Sequence, residues 1–195
     1  MNESIPLKKQ TASELWDTIK FVILAALIVI PIRMFVFQPF IVSGESMYPT
    51  FNNADYLIID EISYRFHTPE RGDVVVFKYP NDPSRFFIKR IIGLPGDTVI
   101  FKDRSVTIKN SDHPDGMKLD EPYLTQITIP GQNTEVLVTD NHYFVMGDNR
   151  GFSSDSRAWG LLPRENITGT ARLRLLPIKN ISYNPGSIEK FEERK

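Results

Sequence analysis

The chain has 195 residues, 41% of them hydrophobic, with 23 Lys+Arg against 24 Asp+Glu and no cysteine. That length suits one domain, or one domain with an anchor and a small insertion. The balanced charge offers no basic surface for nucleic acid, and the lack of cysteine excludes disulfides, thiolate nucleophiles and Cys-type zinc sites.

The most apolar run comes early. Residues 21–32, "FVILAALIVIPI", are interrupted by Arg33 and resume as "MFVF". From Phe21 to Phe37 a helix would reach ~26 Å at 1.5 Å per residue. Twelve apolar residues alone also fit a buried core helix or a signal-peptide core. Cleavage is disfavoured because "RMFVFQPF" follows instead of small residues. A membrane anchor over about 19–38 is therefore expected, with Trp16 and Phe37 at its interfaces and Arg33 extending its stem to the headgroups. Lys8, Lys9 and Lys20 precede the run, which places residues 1–18 inside and the body outside. No second such run follows, so 39–195 should form one extracytoplasmic body. The tail "EKFEERK" reads as solvated.

Beyond Pro39 the chain reads as short strands: "YLIID", "DVVVF", "FFIKRII", "DTVIF", "VTI", "EVLV", "YFVM" and "ARLRLL" are rich in β-branched and aromatic residues. "RGD", "NDPS", "LPGD", "TDNH" and "GDNRG" separate them as turns. "TVIF-KDRS-VTI" predicts a hairpin with a four-residue loop, and "EVLV-TDNH-YFVM" a second. Strands at this spacing predict a mostly β, antiparallel fold. The polar stretch from about 103 to 141 reads as a small insertion.

The chemistry is sparse. His67, His113 and His142 sit in no dense motif, and a lone histidine carries no specific signal. No paired-His spacing points to a metal. A serine without a histidine base needs another one, and a lysine desolvated by burial can serve. Lys89, in "RFFIKRIIG", shares a strand face with Phe87 and Ile91. Ser46, in "SGESMYPT", follows Gly44, which permits a tight turn, and precedes Pro49, which fixes the exit. On these residues alone, a solvated edge lysine and an ordinary Gly-Ser-Pro loop remain the simpler readings.

Four motifs change the balance. "SGESMYPT", "RGDVVVF", "KRIIGLPGD" and "GDNRGFSSDSRAWG", in this order behind an apolar segment, closely resemble the bacterial type I signal peptidases, most like Gram-positive members. The resemblance runs from about Pro39 to Gly160. It implies a signal-peptidase β fold, shared with self-cleaving Ser-Lys repressor peptidases. It implies Ser46 as nucleophile, Lys89 as general base, and Ser153 as the hydroxyl that orients the lysine. Asp155 and Arg157 match a structural ion pair. Gly147, Asp148 and Asn149 would shape the wall beside the lysine, while Ile41, Met47, Phe87 and Ile88 would line a shallow apolar pocket. Many Gram-negative members carry a hydroxyl two residues before the nucleophile. Gly44 stands there, and the role does not pass to Ser43, so backbone N–H groups would form the oxyanion hole.

The implied activity is removal of signal peptides from membrane-inserted preproteins with small residues at −3 and −1. It needs neither metal nor cofactor, and its partners are preproteins and the lipid bilayer. Some of Phe35, Phe37, Phe40 and Phe51 are expected to touch lipid. A dedicated processor of a few clients such as pilins, or an inactive anchored binding module, are the alternatives. A repressor-type peptidase is disfavoured because no basic recognition helix precedes the motifs.

Overall fold

The strands expected after Pro39 form two antiparallel sheets. The computed structural model describes residues 12–35, 37–102, 105–124 and 134–188. Lys8, Lys9 and the tail from 189 lie outside the described residues, as do the side chains of Arg33, Phe35 and Phe37.

Helix α1 (Ala12–Phe35) leads into strand β1 (Phe37–Ile41). Then come β2 (Tyr56–Asp60), the one-turn helix α2 (Ser63–Phe66), β3 (Val74–Tyr79) and β4 (Asp82–Gly93). Strands β5 (Thr98–Lys102), β6 (Ser105–Lys109), β7 (Met117–Lys118) and β8 (Thr134–Leu137) follow. The chain closes with β9 (His142–Met146), helix α3 (Ser156–Trp159), β10 (Leu162–Pro163), β11 (Ile167–Leu176) and β12 (Ser182–Tyr183). The larger sheet runs β1-β2-β11-β3-β4-β9-β10, with β12 on β11; the smaller runs β7-β6-β5-β8.

The run "VVVF" has no alternation because β3 is covered on both sides. Val74 and Val76 join Val42, Met47, Phe51, Leu57 and Ile59 in one core. Val75 and Phe77 join Ile91, Tyr143 and Val145 in a second. A third core lies under the small sheet, where Val99, Phe101, Val106 and Ile108 meet Ile92, Phe144 and Met146. These apolar faces hold the small sheet against β4 and β9.

Two turn expectations are corrected. The β5–β6 hairpin pairs Lys102 with Ser105, so its loop is shorter than four residues. The stretches β8 and β9 do not form a hairpin. β8 pairs β5 in the small sheet, whereas β9 pairs β4 and β10 in the large one. Both stretches are strands, but "TDNH" carries the chain between sheets. The small sheet begins at Thr98, ahead of the polar stretch at 103.

Two strand edges matter for function. β1 pairs only with β2 and ends the large sheet. β4 pairs with β3 over most of its length, but β9 covers its other side only from Arg90 onward. Among the described residues, Asp82 to Lys89 therefore present an unpaired edge. Phe40 of β1 meets Phe86 of β4 edge-on, with ring centroids 5.2 Å apart. Among the described residues, no helix is long and apolar enough to cross a membrane.

Candidate active site

The loop 43–53 is built from its ends inward. Val42 N–H donates to Asp55 O and Ala54 N–H to Val42 O, both at 2.9 Å, which closes the loop. Gly44 adopts φ +91°, a backbone region that glycine enters without strain, and its N–H donates to Asn53 Oδ1 at 2.9 Å. The following residues wind into a turn in which Phe51 N–H donates to Met47 O. Residues four apart on such a turn share a side, so Met47 and Phe51 both enter the core, 1% and 0% exposed. Each contributes about 1.5–3 kcal/mol by burial. Ser46 then faces the other way, into a groove.

That groove, of about 460 Å³, lies between the β1 end and the open edge of β4. Lys89 Nζ reaches Ser46 Oγ at 2.7 Å and donates to Ile88 O at 2.9 Å. The lysine is 4% exposed and sits 5.3 Å over the Phe87 ring. Burial lowers its pKa to about 8, with the Asp155 and Asp148 carboxylates pulling it back upward. Each carboxylate is already held by an arginine, which blunts that pull. Arg90 gives Asp148 two bonds, at 2.9 and 2.6 Å. Arg157 gives Asp155 two at 2.8 Å. Desolvation therefore dominates, and the neutral amine is within reach near neutral pH.

The segment 147–157 packs beside Ser46 and Lys89. Asn149 N–H donates to Ser46 O at 3.0 Å, and its side-chain amide to Glu45 O at 3.1 Å. Asp155 caps α3 and also accepts from Gly147 N–H at 3.0 Å. A Cβ on Gly147 would collide with Ser153 Oγ and Ser46 O, so only glycine lets these chains approach. Thr50 Oγ1 donates to Asp148 at 2.5 Å, tying the serine loop to the same carboxylate. Among the described residues, the Ser46 N–H has no acceptor, leaving a donor beside the Ser46 hydroxyl.

The structure thus brings Ser46, Lys89, Gly147, Asp148, Asn149, Asp155 and Arg157 together. Ile41, Phe87 and Ile88 line the groove. Three expectations need correction. Met47 is in the core and not in the groove, because the turn sends it inward. Phe51 is wholly buried and unable to meet lipid; Phe40 is only half-buried, against Phe86. Ser153 Oγ makes no hydrogen bond to Lys89. Among the described residues it is buried without a partner, and the Ile88 carbonyl takes the lysine instead. None of the three histidines lines the groove. His67 Nδ1 contacts Ser63 O, and His142 Nδ1 contacts Asp140 O. Among the described residues, no group of three or more His, Cys, Asp or Glu is placed to hold a metal.

Several supports went unseen in the sequence. Arg90 is fully buried and also donates to Gly72 O and Gly186 O. Arg150, also buried, donates to Gly147 O at 3.1 Å and pairs with Glu121, which accepts from Tyr123. That acid holds the Arg150 pKa high against burial. Arg90 and Arg150 stand inside quoted motifs, but their partners are too distant in sequence to infer.

The family model described as "Signal peptidase, peptidase S26" matches residues 15–176. The chain is 37% identical over 186 residues to "Probable signal peptidase I-1" of Synechocystis sp., covering 90% of this chain and 88% of that protein. It is 36% identical over 173 residues to "Signal peptidase I S" of Bacillus subtilis, covering 83% and 89%. A solved signal peptidase I from Enterococcus faecalis V583 aligns at 30% identity with a TM-score of 0.46, covering 53% of this chain and 97% of that one. The chain belongs to the bacterial type I signal peptidases, peptidase family S26.

Proposed function

We propose that this chain is a membrane-anchored serine endopeptidase that removes N-terminal signal peptides from secreted preproteins, cutting after small residues at −3 and −1. The observation that carries the reading is the 2.7 Å contact between a buried Lys89, with pKa near 8, and Ser46 Oγ. Neutral Lys89 takes the Ser46 proton as Oγ attacks the scissile carbonyl carbon. Such general-base help contributes ~10²–10⁴-fold. The oxyanion forms beside the Ser46 N–H, and one such donor is worth ~3 kcal/mol. The tetrahedral intermediate expels the amine, which takes the proton from the Lys89 ammonium, leaving an ester on Ser46. Water then gives its proton to Lys89, attacks the ester and frees the serine.

The substrate lies as an added strand against the open edge of β4, where backbone bonds give affinity and alternate side chains enter pockets. Ile41 and Ile88 narrow the groove beside Ser46, which favours small side chains. Ser153 stands near enough, through Gly147, to support the loop that faces the lysine.

Residues 19–38 are proposed as a single-pass anchor, with 1–18 cytoplasmic and 39–195 as the extracytoplasmic catalytic body carrying an insertion near 103–141. In support, Phe21, Val22, Ile23, Leu24, Leu27 and Ile28 of α1 are all exposed. From Phe21 to Val29 the helix is apolar on every side, which fits a lipid environment. Tethering enzyme and substrate to one bilayer raises their effective concentration.

The test is cleavage of a synthetic preprotein with Ala at −3 and −1 by the full chain in detergent. Cutting after the −1 Ala is expected, with Ser46→Ala and Lys89→Ala at background while circular dichroism shows both folded. Undiminished cleavage by Lys89→Ala would sink the dyad. Failure across several such substrates would sink general processing.

A further inference from the structure

Lys89 is not the only cation along the groove. Arg85, Phe87 and Lys89 share one face of β4, since strand side chains alternate. Both cations sit over the same ring, the Arg85 guanidinium at 5.2 Å and Lys89 Nζ at 5.3 Å from its centroid. The ring itself is fixed, stacked on Tyr79 at 4.6 Å and met edge-on by Phe77. Arg85 is thus seated on a rigid platform; its backbone lies ~13 Å along the strand from that of Lys89 at 3.3 Å per residue, while the two charged ends, over one ring, are closer together than that.

Of the residues lining the groove, only Arg85 and Lys89 carry formal charge. Lys89 titrates, with a pKa lowered by burial to about 8, whereas Arg85 stays charged at every accessible pH, the groove's one permanent charge. Among the described residues, no carboxylate lies within ion-pair distance of it, although, after the Ser84 hydrogen bond, its charge helps hold the Asp82 carboxyl below the usual range. Its neighbour Asp82 accepts from both the N–H and the hydroxyl of Ser84.

We propose that Arg85 selects substrates by the charge at −5, favouring Asp or Glu there and opposing Lys or Arg. The inference rests on the signal-peptidase reading and deepens it. On an extended substrate, −1, −3 and −5 face the same way. With −1 beside Ser46 and Lys89, and −3 beside Phe87 on the same face, the residue four positions from −1 meets Arg85. An exposed guanidinium needs no reorganisation of the site to pair with it, and its fork suits a carboxylate.

The test uses the full chain in uncharged detergent and three peptides alike except at −5, where they carry Asp, Asn or Lys. All have Ala at −3 and −1. For the wild type, kcat/KM should favour Asp over Lys about tenfold at low ionic strength, and the ratio should shrink in about 0.5 M salt. Arg85→Gln should bring the ratio near one, and Arg85→Glu should invert it. A wild-type ratio within twofold, or a preference that survives Arg85→Gln, overturns the inference while leaving the peptidase reading intact. No cleavage of even the Asn peptide overturns that reading and this inference with it.

Discussion

Arg90 and Asp148 form a two-bonded ion pair in which neither side chain touches solvent. Arg90 follows the proposed base directly, and Asp148 precedes the residue whose N–H holds the Ser46 carbonyl. The pair therefore locks two halves of the site that lie 58 residues apart.

Breaking this pair from one side leaves a buried charge alone. Asp148→Ala should destabilise the fold by about 3–5 kcal/mol, more than Thr50→Ala, which removes one bond to the same carboxylate. Urea unfolding of the two variants checks the order. Equal losses would show that Arg90 finds a replacement partner.

The Gly147 backbone touches Ser46 and Ser153 where a methyl group cannot fit. Gly147→Ala should displace the Ser46 backbone and lower kcat/KM about a hundredfold, as an ~1 Å misplacement does. The measurement is steady-state kinetics beside circular dichroism. A folded variant with activity within threefold of wild type would show that the segment shifts freely.

Activity should climb with pH as Lys89 loses its proton. With a pKa near 8 in the free protein, kcat/KM should rise about tenfold per pH unit below that value and level off above it. Lys89→Arg, charged at every accessible pH, should be inactive throughout. A flat profile from pH 6 to 9 would contradict a lysine base.

Stability should respond to the same group. The folded pKa of Lys89 lies below its ordinary 10.5, so between about 8 and 10.5 the unfolded chain binds more protons than the native one. Stability contributed by this position therefore rises with pH across that window. At pH 7 the full cost remains, on the order of 3 kcal/mol. Lys89→Met should then be more stable than wild type at pH 7 and lose this part of the pH dependence. Thermal melts of both proteins from pH 7 to 10 test it.

Strands were legible wherever β-branched residues clustered, and their antiparallel pairing followed from the short turns. What stayed hidden was direction. Met47 sits beside the nucleophile in sequence, yet one turn of helix-like backbone sends it into the core. Likewise, "TDNH" has hairpin chemistry but spans two sheets, because β8 pairs its backbone edge with β5 while β9 pairs with β4 and β10. Ser46 and Lys89 were singled out through spaced motifs, and burial of the lysine was foreshadowed by its apolar neighbours. Ser153 was expected on Lys89, but a backbone carbonyl is nearer, and no side-chain pattern reports on that. Glu121 and Tyr123 brace Arg150 from a polar stretch whose composition resembles any surface loop.

The open margin of β4 has a cost of its own. Unpaired N–H and C=O groups in a row accept any extended chain, which is how sheets recruit one another into aggregates. The groove proposed to receive substrate is for this reason also where two copies of the protein are prone to adhere. Arg85, exposed on that margin, opposes such contact, since a second copy would bring a like charge to the same place. A peptide that occupies the margin without being cut should thus do two things at once, inhibit the protein and keep it in solution.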